Sequence, residues 1–213
     1  TAAVTVDAVA AIEAAKPDVE SLEQARVAFC SDSDAQKAVN DLLASLPNEL
    51  ADADTATAVR RGLALWCAGR EREASEWLAG SSSAIARLFT VRSLVAAGRP
   101  LAALECAGDQ VPDGATTAMA EAHANLGNAD ELDALLGSID GADKLYFEGR
   151  AADLAGEHDD ALTKYQAALV EDASHTGALF RQAFALHLYG DEEEAVAAYR
   201  DAVRKFWRGD RDM

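Results

Sequence analysis

The chain has 213 residues, of which half are hydrophobic and only 6% aromatic, with a formal net charge of −18. So negative a field works against binding DNA, RNA or an anionic membrane surface, and no apolar run is long enough to span a bilayer. Only 5 of the 19 basic residues are lysine, and the acidity is compatible with solubility, with adaptation to high salt, or with a partner of basic character.

Residues 1–15 are rich in alanine and valine and predict a short helix ended before Pro17. No signal-peptide pattern precedes it, although the chain opens on Thr1 and a removed segment would explain that. Pro17 suits a first turn and is expected to open a second helix through Phe29. Ser33-Asp34-Ala35-Gln36 has the form of a capping box and starts a helix to about Ser45, closed by Pro47. These helices predict a divergent first hairpin or an N-terminal cap.

From residue 54 on, helices pair off. Asp54 or Thr55 caps 56–68, followed by 71–79; next come 83–97 and a helix opened by Pro100 to about 107. Then come 115–126 and a helix to about 136, with Asn128-x-x-Glu131 as its expected cap. Gly69, Gly98, Gly127 and Gly156 follow the first helix of each pair at a constant spacing of 29 residues. Glycine there can adopt the left-handed conformation that ends a helix. Seven residues before each stands Gly62, Val91, Ala120 or Gly149, and five after stands Ala74, Ala103, Leu132 or Ala161. Both sets read as close-packing positions inside a hairpin whose second helix is shortened.

After residue 142 the period becomes 34. Leu145 meets Leu179, Gly149 meets Ala183, Gly156 meets Gly190, Ala161 meets Ala195, Tyr165 meets Tyr199, and Ala168 meets Ala202. Residues 142–203, as two copies in register, resemble the tetratricopeptide repeat, whose skeleton is W-x2-L-G-x2-Y, then A-x3-F, then P. Glu148, Ala152 and Ala173 depart from it. The resemblance implies an all-α fold: a right-handed α-solenoid of five to six antiparallel hairpins, in one domain over residues 1–213. Residues 1–50 would be the divergent cap, 54–141 the short hairpins and 142–207 the two full repeats.

The three cysteines, Cys30, Cys67 and Cys106, are far apart and odd in number, so reduced packing residues in a cytoplasmic or other reducing compartment are expected. Dinucleotide, P-loop, zinc-protease and serine-hydrolase motifs are absent, and the four histidines stand singly. The expectation is therefore a non-enzymatic chain with no cofactor and no metal.

What the resemblance implies instead is a protein-binding surface. First helices of such arrays line a concave groove that takes a peptide or helical segment of a partner. Inward positions fall thirteen, ten, six and three residues before the turn glycine. They give Trp66, Leu88, Arg92, Tyr146, Arg150, Asp153, Phe180, Phe184 and His187 as candidate groove residues. Arg92 and Arg150 share one position, where an arginine could take a partner's carboxylate, or pair internally with Asp153 or Glu121. Arrays of this kind end in an extra covering helix. Here Phe206 and Trp207 are candidates for an end contact, by folding back, by meeting a partner or by joining a continuation of the chain. An adaptor that holds a partner segment is the first functional expectation, and an architectural subunit of a larger complex the second.

Overall fold

The structure, a computed structural model, describes residues 7–109, 111–190 and 192–207, without the side chains of 205–207. Among these residues it is all-helical: thirteen α-helices, one turn of 3-10 helix and no strand. The chain divides into two compact units, Thr1–Asp113 and Gly114–Met213.

The first unit holds α1 (Ala8–Glu13), α2 (Val19–Ser31), α3 (Ser33–Ser45), the 3-10 turn Leu50–Asp52, α4 (Thr55–Cys67), α5 (Glu71–Leu78), α6 (Ala84–Ala96) and α7 (Pro100–Ala107). Consecutive helices pack on one another, and α4 also meets α1, α2 and α6. Short polar side chains start these helices by accepting otherwise orphaned N–H groups. Asp7 accepts from Ala10, Asp18 from Ser21, Asp54 from Thr57 and Ser83 from Ala86. Two starts differ from the sequence expectation. Pro17 lies two residues outside α2, whose cap is Asp18, because a carboxylate next to the helix outcompetes a proline as a start. The cap of α3 is Asp32, whose carboxylate accepts from the Asp34 N–H, so Ser33 is already helical.

The second unit holds α8 (Thr116–Leu126), α9 (Ala129–Leu136), α10 (Gly141–Ala155), α11 (His158–Glu171), α12 (Thr176–Tyr189) and α13 (Glu192–Trp207). Again neighbours pack in order, and α8 also meets α10. Asn128 makes no side-chain cap to α9; its amide turns back to His123 Nδ1 at 3.3 Å. At the start of α12 His175 does the capping, its Nδ1 accepting from the Ala178 N–H at 3.0 Å.

The turn glycines separate into two kinds. Gly69, Gly98, Gly127 and Gly156 have φ of 70, 71, 77 and 79°, the left-handed conformation expected of them. Gly190 does not: its φ is −110° and ψ −149°, so the 34-residue register is not accompanied by the same turn. A Cβ at Gly190 would lie 3.0 Å from Leu186 backbone atoms, so closeness rather than handedness favours glycine there. The helices behind the 29-residue spacing are short, with α5, α7 and α9 each 8 residues long against 14 for α11.

The pairs close on small residues. Gly62, Val91, Ala120 and Gly149 are all buried, as are Ala74, Ala103, Leu132 and Ala161 five residues after the turns. At Gly149 an added Cβ would lie 2.6 Å from Tyr165 Cε1, and at Gly62 it would lie 2.5 Å from Leu78 Cγ. Those gaps set the distance between α10 and α11 and between α4 and α5.

Candidate partner-binding surface

In the first unit the nominated groove residues mostly face inward. Trp66 is 5% exposed; its ring meets Phe89 edge-on at 4.5 Å, and the Arg26 guanidinium sits 4.6 Å from its centroid. Arg26 comes from α2, donates to the Trp66 carbonyl at 3.2 Å and pairs with Glu71 at 2.6 Å. Leu63 and Leu88 are buried with it. Trp66 and Leu88 are thus core residues, because α2 lies against α4 and seals the aromatic face that helical spacing alone left open. Arg92 is half-buried, 5.4 Å from the Phe89 ring, and its guanidinium meets Glu23 of α2 at 2.8 Å.

A cleft of about 240 Å³ in this unit is lined by residues of α5, α6 and α7 together with Ala79 and Arg99. The Ser75 and Thr90 hydroxyls that border it donate to the Arg72 and Ala86 carbonyls of their own helices, so its wall is mainly apolar. None of the nominated groove residues borders it.

In the second unit Arg150 is 4% exposed and bound on every side. It donates to Glu121 at 2.7 Å, to the Tyr146 hydroxyl at 2.9 Å and to Asn125 Oδ1 at 2.9 Å. Tyr146 donates in turn to the second Glu121 oxygen at 2.9 Å. Of the pairings open to Arg150, Glu121 is the one made. Burial works against the buried guanidinium's charge, but Tyr146 and Glu121 outweigh it and its pKa is raised. Burial, reinforced by Glu121, pushes the Tyr146 hydroxyl up to about 12. Asp153 is engaged elsewhere: it accepts from the Tyr165 hydroxyl and lies 3.5 Å from His158 Nδ1. Tyr146 and Arg150 therefore tie α10 to α8 rather than present themselves to solvent.

What remains outward is on α12 and the end of α10. Phe180 is half-buried, Phe184 is 46% exposed and Leu188, one turn on, is 50% exposed. Leu154, exactly one repeat of 34 residues before Leu188, is exposed too. Sequence reasoning passed over Leu154 and Leu188, although an apolar residue two positions before the turn in both full repeats was the available signal. His187 is exposed and meets the Tyr199 ring edge-on at 6.1 Å, which turns it toward α13. The side chains of Phe206 and Trp207 lie outside the described residues.

Among the described residues no three His, Cys, Asp or Glu side chains are grouped to hold a metal ion, and no helix is long and apolar enough to cross a membrane. The cysteines are free, and burial pushes the Cys67 thiol up to about 12. No known protein-family model matches the chain, and no curated protein matches it. The class that fold and surface define is an all-helical protein whose successive helices pack in chain order.

Proposed function

We propose that the chain is a helical-repeat protein of tetratricopeptide type, a right-handed solenoid that holds a peptide or helical segment of a partner and catalyses no reaction. The observation that carries this reading is the outward apolar set on first helices of the second unit: Leu154 on α10, with Phe184 and Leu188 on α12. Phe184 and Leu188 stand four residues apart on one helix face, the spacing at which side chains act together as anchors. The polar groups nominated on α10 are satisfied inside the unit, Arg150 with Glu121 and Asp153 with Tyr165, which leaves the exposed apolar side chains as the candidate anchors. The net charge of −18 favours a partner segment of basic character, through faster encounter more than through tighter grip.

The test is comparative co-purification from the native cell, with quantitative mass spectrometry, of the wild-type chain and a Leu154→Ser, Phe184→Ala, Leu188→Ser variant. Arg150 is left intact, since it is buried and replacing it would destabilise the unit rather than probe a surface. Selective loss of one or more proteins from the variant, at unchanged helicity, is the expected result. An identical set of co-purifying proteins overturns the reading.

A further inference from the structure

The cleft between α5, α6 and α7 belongs to the first unit and shares no residue with the outward apolar set of the second. Its apolar lining is Ala79, Leu94 and Ala102, joined by the half-buried Cys106. At about 240 Å³ it is smaller than the roughly 300–1,000 Å³ of sites for drug-sized ligands. An occupant with few non-hydrogen atoms fits it, and a peptide or a nucleotide does not.

The polar groups on the cleft divide into acceptors and a donor. Ser75 and Thr90 are each 2% exposed. Each spends its hydroxyl hydrogen on its own helix, Ser75 on the Arg72 carbonyl and Thr90 on the Ala86 carbonyl, both at 2.7 Å. Toward the cleft their oxygens are therefore acceptors only. Glu76 adds a carboxylate whose ion pair, with Arg72 at 3.6 Å, is exposed and of the kind that contributes little. Arg99 is the donor. It is exposed, and among the described residues its side chain has no ion-pair or hydrogen-bond partner. Glu76 and Arg99 thus line one cleft without pairing with each other.

This set of charges selects the occupant. A simple anion would meet the Glu76 carboxylate as a like charge, and a simple cation would meet the Arg99 guanidinium. A small zwitterion satisfies both, its ammonium donating to acceptors and its carboxylate accepting from the guanidinium. The apolar lining adds a place for an aliphatic side chain.

We propose that the cleft binds a free α-amino acid with an aliphatic side chain of about the size of leucine. Its ammonium lies on Glu76 and the Ser75 and Thr90 oxygens, its carboxylate on Arg99, and its side chain against Leu94 and Ala102. Exposed charge pairs are weak, so the binding is millimolar. The site is in the other unit from Phe184 and Leu188, and the two readings fail independently.

Cys106 reports occupancy, because its half-buried thiol lines the cleft. Alkylation of the full chain by iodoacetamide is followed at each cysteine by mass spectrometry. Cys30, also half-buried but not on the cleft, is the internal control. About 10 mM leucine against a Kd of about 5 mM should slow Cys106 about threefold, the factor 1 + [L]/Kd, and leave Cys30 unchanged. Two relatives of leucine test the zwitterion: 3-methylbutylamine lacks the carboxylate, and 4-methylpentanoate lacks the ammonium. Both are expected to leave Cys106 close to its rate without ligand. Arg99→Gln and Glu76→Gln, both at exposed positions, should each abolish protection by leucine at unchanged helicity. Leucine that leaves wild-type Cys106 unprotected, or slows Cys30 equally, overturns the proposal. So does an amine or an acid that protects as well as leucine, or protection that survives both substitutions.

Discussion

Gly149→Ala tests the packing on which the second unit rests. The new Cβ would stand 2.6 Å from Tyr165 Cε1, 2.8 Å from Cδ1 and 3.1 Å from Cζ. Carbon contacts are comfortable at about 3.5–4.0 Å, so the ring must retreat by close to an ångström. It has little room to do so. Tyr165 is fully buried, and its hydroxyl donates to Asp153, a bond that sliding the ring would loosen. Overpacking of this kind costs about 1–3 kcal/mol. Replacing a mid-helix glycine by alanine returns about 0.8–1.0 kcal/mol of helix propensity. The net expectation is destabilisation by roughly 0–2 kcal/mol, too broad a window to decide anything by itself. A double-mutant cycle with Tyr165→Ala removes the ambiguity. Without the ring, Gly149→Ala should stabilise by about 1 kcal/mol, and the coupling between the two sites should be about 1–3 kcal/mol. Urea midpoints followed by circular dichroism at constant m give each corner of the cycle. Zero coupling, with Gly149→Ala stabilising in both backgrounds, would refute the claim that α10 and α11 touch at this glycine.

Removing one member of the Arg150–Glu121 pair, by Arg150→Met or Glu121→Gln, leaves a buried polar group without its partner; a loss of about 3 kcal/mol in urea unfolding is expected, against under 1 kcal/mol for the more exposed Arg72–Glu76 pair. Asp32→Ala should cost about 1 kcal/mol as the loss of a helix cap, while Ser33→Ala, whose hydroxyl does not cap, should change the midpoint little. For Cys67, the unfolded thiol ionises from about pH 8.5, whereas the buried one keeps its proton up to about 12. Above pH 8.5 the unfolded state therefore sheds a proton that the folded state retains, and stability should fall by about 1.4 kcal/mol per pH unit, reaching roughly 2 kcal/mol at pH 10. Cys67→Ala should flatten that part of the pH profile, and the native thiol should resist alkylation at pH 8.

Local chemistry was readable in the sequence where neighbours in the chain decide the outcome. Gly69, Gly98, Gly127 and Gly156 are left-handed because a helix must end there, and nothing distant is involved. The cap of α3 was readable to within a residue, since Asp32 and Ser33 offer the same chemistry and only geometry chooses between them, whereas Asn128, expected to cap α9, makes no cap bond. Exposure was not readable in this way. Trp66 occupies an inward position of its pair, yet α2 supplies the Arg26, 40 residues earlier, that covers it. Arg150 had two candidate carboxylates, and in the structure it pairs with Glu121 while Asp153 accepts from Tyr165, a third residue outside that pair. Each of these is decided by a third residue that no pairwise pattern contains.

Val91, the one large residue at its position in the pairs, has a physical account. Val91 breaks the run of small residues at seven positions before the turn, where Gly62, Ala120 and Gly149 also stand. Nine positions after each turn stand Leu78, Ala107, Leu136 and Tyr165, the positions that meet Gly62 and Gly149 in the first and last cases. Where the first helix has glycine, the second has leucine or tyrosine; where the first has valine, the second has alanine. Val91 and Ala107 are both fully buried, and if the register of Gly62 with Leu78 holds in this pair they face each other with the sizes exchanged. Cores tolerate exchanges that conserve volume and penalise those that do not. Val91→Ala alone should therefore open a cavity and cost about 1–2 kcal/mol, and Ala107→Val alone should overpack by a comparable amount. The two together should recover most of the loss, because the pair would then carry a small first residue and a larger second one, as α4 with α5 and α10 with α11 already do. If the double variant is instead as unstable as the sum of the single ones, Val91 and Ala107 do not face each other, and the shared register of the pairs is an accident of composition.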